Sequence, residues 1–209
     1  GKTHFFRQLR ELAFHDGLLV STVELDVNNA ALDKFQRVFY AIVTSVETPR
    51  ALESSLVPDA MPFAAVLKEA LVQMAEGDDA KGEVTHEQLA KANEKLMSCR
   101  GIDIDFKKIV NQYWETFFSE SPDIALIEQS RAELLQWFAG EGTVGSYRKR
   151  FGVTKMVSKD NAKLMLQSLA EFVQLAGYKG LLILFDEAEQ AYSIMRKSSL
   201  RAAHNNLLS

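Results

Sequence analysis

Gly1-Lys2-Thr3 at one end of the chain and Asp186-Glu187 near the other are the residues whose types and order could do chemistry. The first three read as the close of a phosphate-binding loop, G-x-x-x-x-G-K-[ST], with its earlier positions upstream of the sequence. In that reading the Lys2 ammonium is a point charge on the β and γ phosphates of a nucleotide. The Thr3 hydroxyl ligates Mg²⁺, and backbone N–H groups at a helix start, from Gly1 onward, cradle the anion. His4 follows Thr3 closely enough to lie near the nucleotide, although an ordinary helix position explains it as well. Asp186 would hold Mg²⁺ directly or through water, because a hard cation bridging phosphates prefers carboxylate and water oxygens. Glu187 would polarise the attacking water. Neither half suffices alone: a G-K-T tripeptide is common by chance, and Asp186-Glu187 could instead cap a helix starting at "EAEQAYSIM", where acids complement the positive end.

Each half-motif needs an element to carry it, and the pattern supplies both. Phe5, Phe6, Leu9, Leu12 and Ala13 recur at spacings of three and four, the stripe of an amphipathic helix, and Gly17 offers it a left-handed stop. "LLVSTVELDV", Leu18 to Val27, is β-branched and aliphatic and reads as a strand. The order G-K-T, helix, strand is that of a P-loop βαβ unit from its second element onward. Asp26, Asn28 and Asn29 end this strand; one of them could tether Glu187, and a turn role is equally open. At the other end Leu181 to Phe185 form an uninterrupted apolar run after Gly180, the pattern of a strand buried on both faces of a parallel sheet. Two acids at its C-terminal end would emerge where open α/β sheets hold their ligands.

The residues between are nearly all helical in period. Helices are expected over Leu32 to Val46, from Pro62 to near Gly77, and over Glu87 to Cys99 with a capping box at Thr85 and Gln88. Further helices follow over Asp105 to Phe118, Pro122 to Phe138 and Asn161 to Ala176. Trp114, Phe117, Phe118, Leu134, Leu135, Trp137 and Phe138 fall at helical spacing and are assigned to the core. Gly140 to Val153 is glycine-rich and lacks a Gly-Lys-Ser/Thr ending, so it reads as a linker. The expected organisation is a nucleotide-binding core at 1–60 and 146–209, interrupted by a helical insertion at 61–145. The fold class is α/β, a parallel sheet flanked by helices.

Composition narrows the function classes. With 47% hydrophobic and 25% charged residues the chain is ordinary globular material, and a net charge of −4 gives no global attraction to nucleic acid or an anionic membrane. The apolar runs are too short to span a bilayer, and no secretory signal is legible. The single cysteine, Cys99, favours a cytoplasmic setting. His4, His15, His86 and His204 lack metal-ligand spacing, so no zinc site is expected. Guanine specificity is disfavoured: Ser158-Lys159-Asp160 has the wrong spacing for an Asn-Lys-x-Asp base reader, and Asp79-Ala80-Lys81-Gly82 lies in a polar turn. A small-molecule kinase would not need the second acid, so Glu187 points to hydrolysis. Arg148, Lys149 and Arg150 form a dense basic cluster that could meet DNA phosphate or act as an arginine finger, or simply end a solvated helix. Arg196, Lys197 and Arg201 could face a neighbouring subunit or solvent.

"GKTHFFRQLR", "GYKGLLILFDEAEQ" and "RAAHNNLLS" resemble the ATP-binding proteins of BREX-type phage-defence systems, an AAA+-like P-loop group. The likeness covers the two ends well and the middle, including "LLQWFAGE" and "YRKRFGV", more loosely. It implies Lys2 and Thr3 on the phosphates and Mg²⁺ of ATP, and Asp186 and Glu187 as the Walker B pair. It also implies a multi-protein defence complex acting near DNA; a homo-oligomer stays open. The first loop glycine with its strand, and the sensor strand, do not appear in the sequence. The strand from Leu18 to Asp26 is therefore expected to pair directly with Leu181 to Phe185, and these residues alone to hydrolyse ATP weakly or not at all. Two other classes stay open: an ATP-binding scaffold or signalling switch with little turnover, and a helical interaction protein in which both half-motifs are coincidences.

Overall fold

A computed structural model describes residues 2–25, 34–49, 61–75 and 84–187. The expectations for Asp26, Asn28, Asn29, Asp79 to Gly82, Arg196, Lys197, Arg201 and His204, and for a helix after Glu187, lie outside the described residues.

Helix α1 spans Lys2–His15 and strand β1 spans Leu18–Glu24. The two residues between them reverse the chain, and Gly17 takes the left-handed φ of +79° that the reversal needs. Strand β1 alternates from Ser21 onward, with Ser21 and Val23 buried and Thr22 and Glu24 exposed. The next elements are α2 (Phe35–Ser45) and β2 (Val46–Glu47), which runs antiparallel to β1. The sequence pattern carried α2 through Val46, because two residues are too few to register a period-2 signal. The chain continues through α3 (Phe63–Met74), α4 (His86–Ser98), α5 (Ile104–Glu115), a 3₁₀ turn at Thr116–Phe118, α6 (Ile124–Phe138), α7 (Val144–Phe151) and α8 (Ala162–Leu175). Strand β3, Gly180–Asp186, closes the order and lies parallel to β1.

The sheet order is β2-β1-β3, so the strand after α1 does pair directly with the apolar run before Asp186. Helix α1 covers one face: Phe6, Leu9 and Ala13 meet Val20, Leu182 and Leu184. Leu19, Val23, Leu181, Ile183 and Phe185 face the main core, where α2 and α8 pack. Strand β3 is less enclosed than its composition suggests. Leu184 is buried and the rest of the strand is half-buried, because among the described residues no strand pairs with its far edge.

The main core is aromatic. Phe63 meets Phe138 at 4.8 Å between ring centroids, Phe106 meets Phe138 at 5.1 Å, and Phe172 on α8 lies 5.7 Å from Phe106 and 6.3 Å from Trp114. Trp114 Nε1 donates to the Leu67 carbonyl at 2.8 Å, so its one polar atom is satisfied in the interior. Most of the aromatic set assigned to the core is there; Phe117 is the exception, 36% exposed beneath the Arg131 guanidinium at 4.3 Å.

The glycine-rich stretch read as a linker contains α7. Thr143 accepts from Ser146 N at 3.4 Å as N-cap, Tyr147 is buried, and Gly152 at φ +68° ends the helix. With eight residues and three consecutive cations, α7 has too few apolar positions to stand out as periodic. The Thr85–Gln88 capping box forms as expected, with bonds of 2.9 and 3.3 Å.

Candidate functional site

The parallel ladder runs in register from Leu18↔Gly180 to Glu24↔Asp186. Both strands therefore end level, and the Leu25 amide extends the pairing by donating to the Asp186 carbonyl at 3.0 Å. By alternation Glu24 and Asp186 share the face of Val20 and Leu184, the one α1 covers. The N-terminal edge is pinned by the bond from Lys179 N to the Gly17 carbonyl at 2.9 Å.

Helix α1 has 14 residues, about 21 Å at 1.5 Å each. Strand β1 has 7, about 23 Å at 3.3 Å each. A helix that reverses through two residues onto a strand of matching length brings its first turn back to the far end of that strand. The start of α1, with Lys2, Thr3 and His4, thus shares an edge of the molecule with Glu24, Asp186 and Glu187. Arg10 fixes α1 sideways by an ion pair from Nη1 to Glu47 Oε2 of β2 at 3.1 Å. The side chains of Lys2 and Thr3 lie outside the described residues, as does Gly1; His4 is exposed.

At the strand end the chain turns sharply. Glu187 has φ +56°, the one non-glycine residue with positive φ among the described residues, and its amide donates to Asp186 Oδ1 at 2.9 Å. A left-handed backbone costs an L-residue about 1–2 kcal/mol, and the Asp186 carboxylate holds the turn in place. One Asp186 oxygen serves this bond. Hard oxygen donors at this edge, from Asp186 and its neighbour Glu24, suit Mg²⁺ in kind. Among the described residues no three His, Cys, Asp or Glu side chains cluster as a metal site.

Glu24 was not singled out by sequence reasoning. Its signal lay in the count: Leu18 and Gly180 each stand six positions before an acid, so a parallel register starting from them makes the acids neighbours.

The basic cluster forms the last turn of α7, where cations complement the helix dipole. Arg150 is ion-paired with Glu133 and lies 5.1 Å over the Phe151 ring, and Arg148 Nη2 reaches the Thr154 carbonyl at 3.5 Å. Of the other histidines, His15 meets Asp16 at 3.4 Å and the His86 ring lies tilted against that of Phe118, 4.8 Å between centroids. No helix among the described residues is long and apolar enough to cross a membrane.

A family described as BREX system ATP-binding protein BrxC/D matches residues 1–209, and the chain belongs to it. Comparison with curated proteins and with solved structures gave no match.

Proposed function

We propose that this member of a BREX ATP-binding family is an AAA+-like P-loop ATPase, with Gly1, Lys2, Thr3 and His4 at the start of α1 receiving the polyphosphate of ATP. Asp186 and Glu187, at the end of β3, complete the site. The observation that carries the reading is the in-register parallel pairing of β1 with β3, which ends both strands at the edge to which the first turn of α1 returns. Helix capping by Asp186-Glu187 would not require that pairing.

Lys2 contributes a point charge to the β and γ phosphates, and the α1 N-terminus adds unpaired amides and the positive end of its dipole. Thr3 and Asp186 would hold Mg²⁺, which when bound offsets phosphate charge. Glu187 orients water for in-line attack on the γ-phosphorus and accepts its proton; the oxygen–phosphorus bond to ADP breaks as the new one forms. Residues 1–60 and 146–209 form the nucleotide core, and 61–145 an insertion that carries partner specificity. The module works as a motor or switch with other defence-system proteins in the cytoplasm. Any DNA contact at Arg148 and Lys149 is secondary, since Arg150 is already neutralised by Glu133.

The test is ATP binding and phosphate release by the full-length protein. Lys2→Ala is expected to weaken ATP binding at least about tenfold, a loss of ~1.4 kcal/mol. Glu187→Gln is expected to bind ATP and release no phosphate. Nucleotide affinity unchanged in both Lys2→Ala and Asp186→Ala would overturn the assignment.

A second reading, an ATP-binding switch with little turnover, draws support from the Glu187 turn. A left-handed residue whose amide is clasped by the Asp186 carboxylate is a strained turn of the kind that serves as a switch. ATP binding without phosphate release by the unsubstituted protein would favour it.

A further inference from the structure

Helix α6 begins Ile124-Ala125-Leu126-Ile127, four apolar residues of which none is buried: Ile124 is 72% and Leu126 50% exposed. The helix fully buries no side chain before Leu134, so its first turn presents an apolar surface that is left largely bare among the described residues. Beside that turn lies a groove of ≈ 250 Å³, with Leu126, Ile127, Leu134 and Phe151 as its apolar wall and Ser119 and Ser121 along its edge. Soluble proteins seldom leave contiguous apolar surface of this kind open unless something docks on it.

The charges around the groove select the occupant. Glu115, Glu120, Asp123 and Glu128 are all exposed on the segments that build it, and from 112 to 131 the single cation is Arg131. Arg131 is already held by Glu128 at 2.7 Å and by the Thr116 hydroxyl at 2.9 Å. On the α7 side Arg150 is paired with Glu133. With Glu128 paired to Arg131, the surface offers an apolar wall beside a rim where the charges of Glu115, Glu120 and Asp123 meet no ion-paired cation among the described residues. The basic cluster of α7 is poorly suited to fill this groove on a second copy, because Tyr147 is buried in its own core and Phe151 already forms part of the groove wall.

We propose that this groove docks a basic amphipathic helix of a partner protein, with apolar side chains against Leu126 and Phe151 and Lys or Arg over Glu120 and Asp123. The charges speed encounter and exclude acidic helices, while the apolar contact sets the lifetime.

The test uses the full chain and a fluorescent helical peptide of about 18 residues, leucine on one face and lysine on the other, against the same peptide with glutamate for lysine. The lysine-faced peptide is expected to bind at least about tenfold tighter, with affinity falling as salt rises. Leu126→Lys is expected to abolish this binding and Glu120→Lys to weaken it several-fold, both without lowering the thermal midpoint, since both side chains are exposed. Equal affinity for the two peptides, no binding of either, or binding unchanged in Leu126→Lys would overturn the proposal. So would a concentration-dependent dimer that Leu126→Lys abolishes, which would assign the face to a second copy. None of these readouts involves nucleotide, so the inference fails or stands independently of the ATP site.

Discussion

Glu24 and Asp186 occupy the same register position on adjacent parallel strands, side by side on the face covered by α1. Neighbouring strands lie about 4.8 Å apart, so a charge placed at 24 acts directly on the carboxylate at 186. At such separations two unit charges interact by roughly 1–4 kcal/mol across the range from water to a protein surface. Glu24→Lys is expected to pair with Asp186 and compete with Mg²⁺, raising the Mg²⁺ concentration needed for half-maximal ATP binding by about tenfold. Glu24→Gln is expected to shift it by less than about threefold. Because Glu24 is exposed, neither substitution should move the urea midpoint appreciably. An Mg²⁺ titration of nucleotide binding reads the difference, and an identical curve for Glu24→Lys would sever Glu24 from the site.

The sequence disclosed the parts of this arrangement that depend on local pattern. The stripe Phe6, Leu9 and Ala13 defined α1, Gly17 its stop, and the run before Asp186 its strand; the pairing of β1 with β3 was implied only by the strand order of the AAA+-like family that the two ends resemble. Features set by tertiary context were not legible. Strand β2 exists because Val46 and Glu47 meet Ser21 and Val20, and α7 exists because Tyr147 finds a buried seat and a carbonyl at Glu133. Glu187's left-handed turn, in which its amide donates to the preceding Asp186 side chain, had no composition signal at all.

Asp105 is a fully buried carboxylate that fastens the segment after α7 to α5. It accepts from the Thr154 hydroxyl at 2.6 Å and from the Thr154 and Lys155 amides at 3.1 Å each, with Lys108 Nζ at 3.5 Å. Burial pushes its pKa up, but the Thr154 bonds, the Lys108 charge and the Lys155 amide together carry it below the ordinary 3.8. A depressed folded value means the stabilisation is fully present above the unfolded pKa and is lost as pH falls through the folded one. Asp105→Asn turns an NH₂ toward donors and is expected to cost about 3 kcal/mol at neutral pH. Urea denaturation of the two proteins should converge as pH drops below 3.8; a constant gap down to strong acid would contradict the assignment.

The alkaline limb has its own reporters. Burial raises Tyr113 and Tyr147 from 10.0 to about 12, Tyr147 with help from the Glu141 charge, and the Tyr147 hydroxyl donates to the Glu133 carbonyl at 2.6 Å. For groups raised on folding, stability is complete below the unfolded value of 10.0 and falls as pH approaches 12. Ultraviolet titration should show these two phenols ionising later than freely exposed tyrosine. Tyr147→Phe should remove one late transition at a stability cost of about 1 kcal/mol.

Gly140 makes room for Tyr40. A Cβ at 140 would stand 2.1 Å from Tyr40 Cζ, and the glycine has φ +76°. Tyr40 cannot yield without losing its 2.7 Å bond to the Val157 carbonyl. Gly140→Ala is expected to cost roughly 3 kcal/mol, combining overpacking with backbone strain. In a Tyr40→Ala background the steric part disappears and only about 1 kcal/mol should remain. Additive costs in that double-mutant cycle would mean the two residues do not collide.

Phe172 decides whether the helical region behaves as a separate unit. It lies on α8, beside the sheet, yet its ring lies 6.4 Å from Phe63, 5.7 Å from Phe106 and 6.3 Å from Trp114, which belong to α3 and α5. All four are fully buried in one continuous core with Leu19 and Val23 of β1. A core shared in this way couples the sheet to the helices, so denaturation should be a single cooperative transition by both tryptophan fluorescence and far-ultraviolet dichroism. Phe172→Ala opens a cavity at the junction and is expected to cost 3–5 kcal/mol, lowering both signals together. If fluorescence from Trp114 and Trp137 instead survived the loss of sheet signal in that variant, the helices would hold a core of their own, and α8 would contribute only to the sheet.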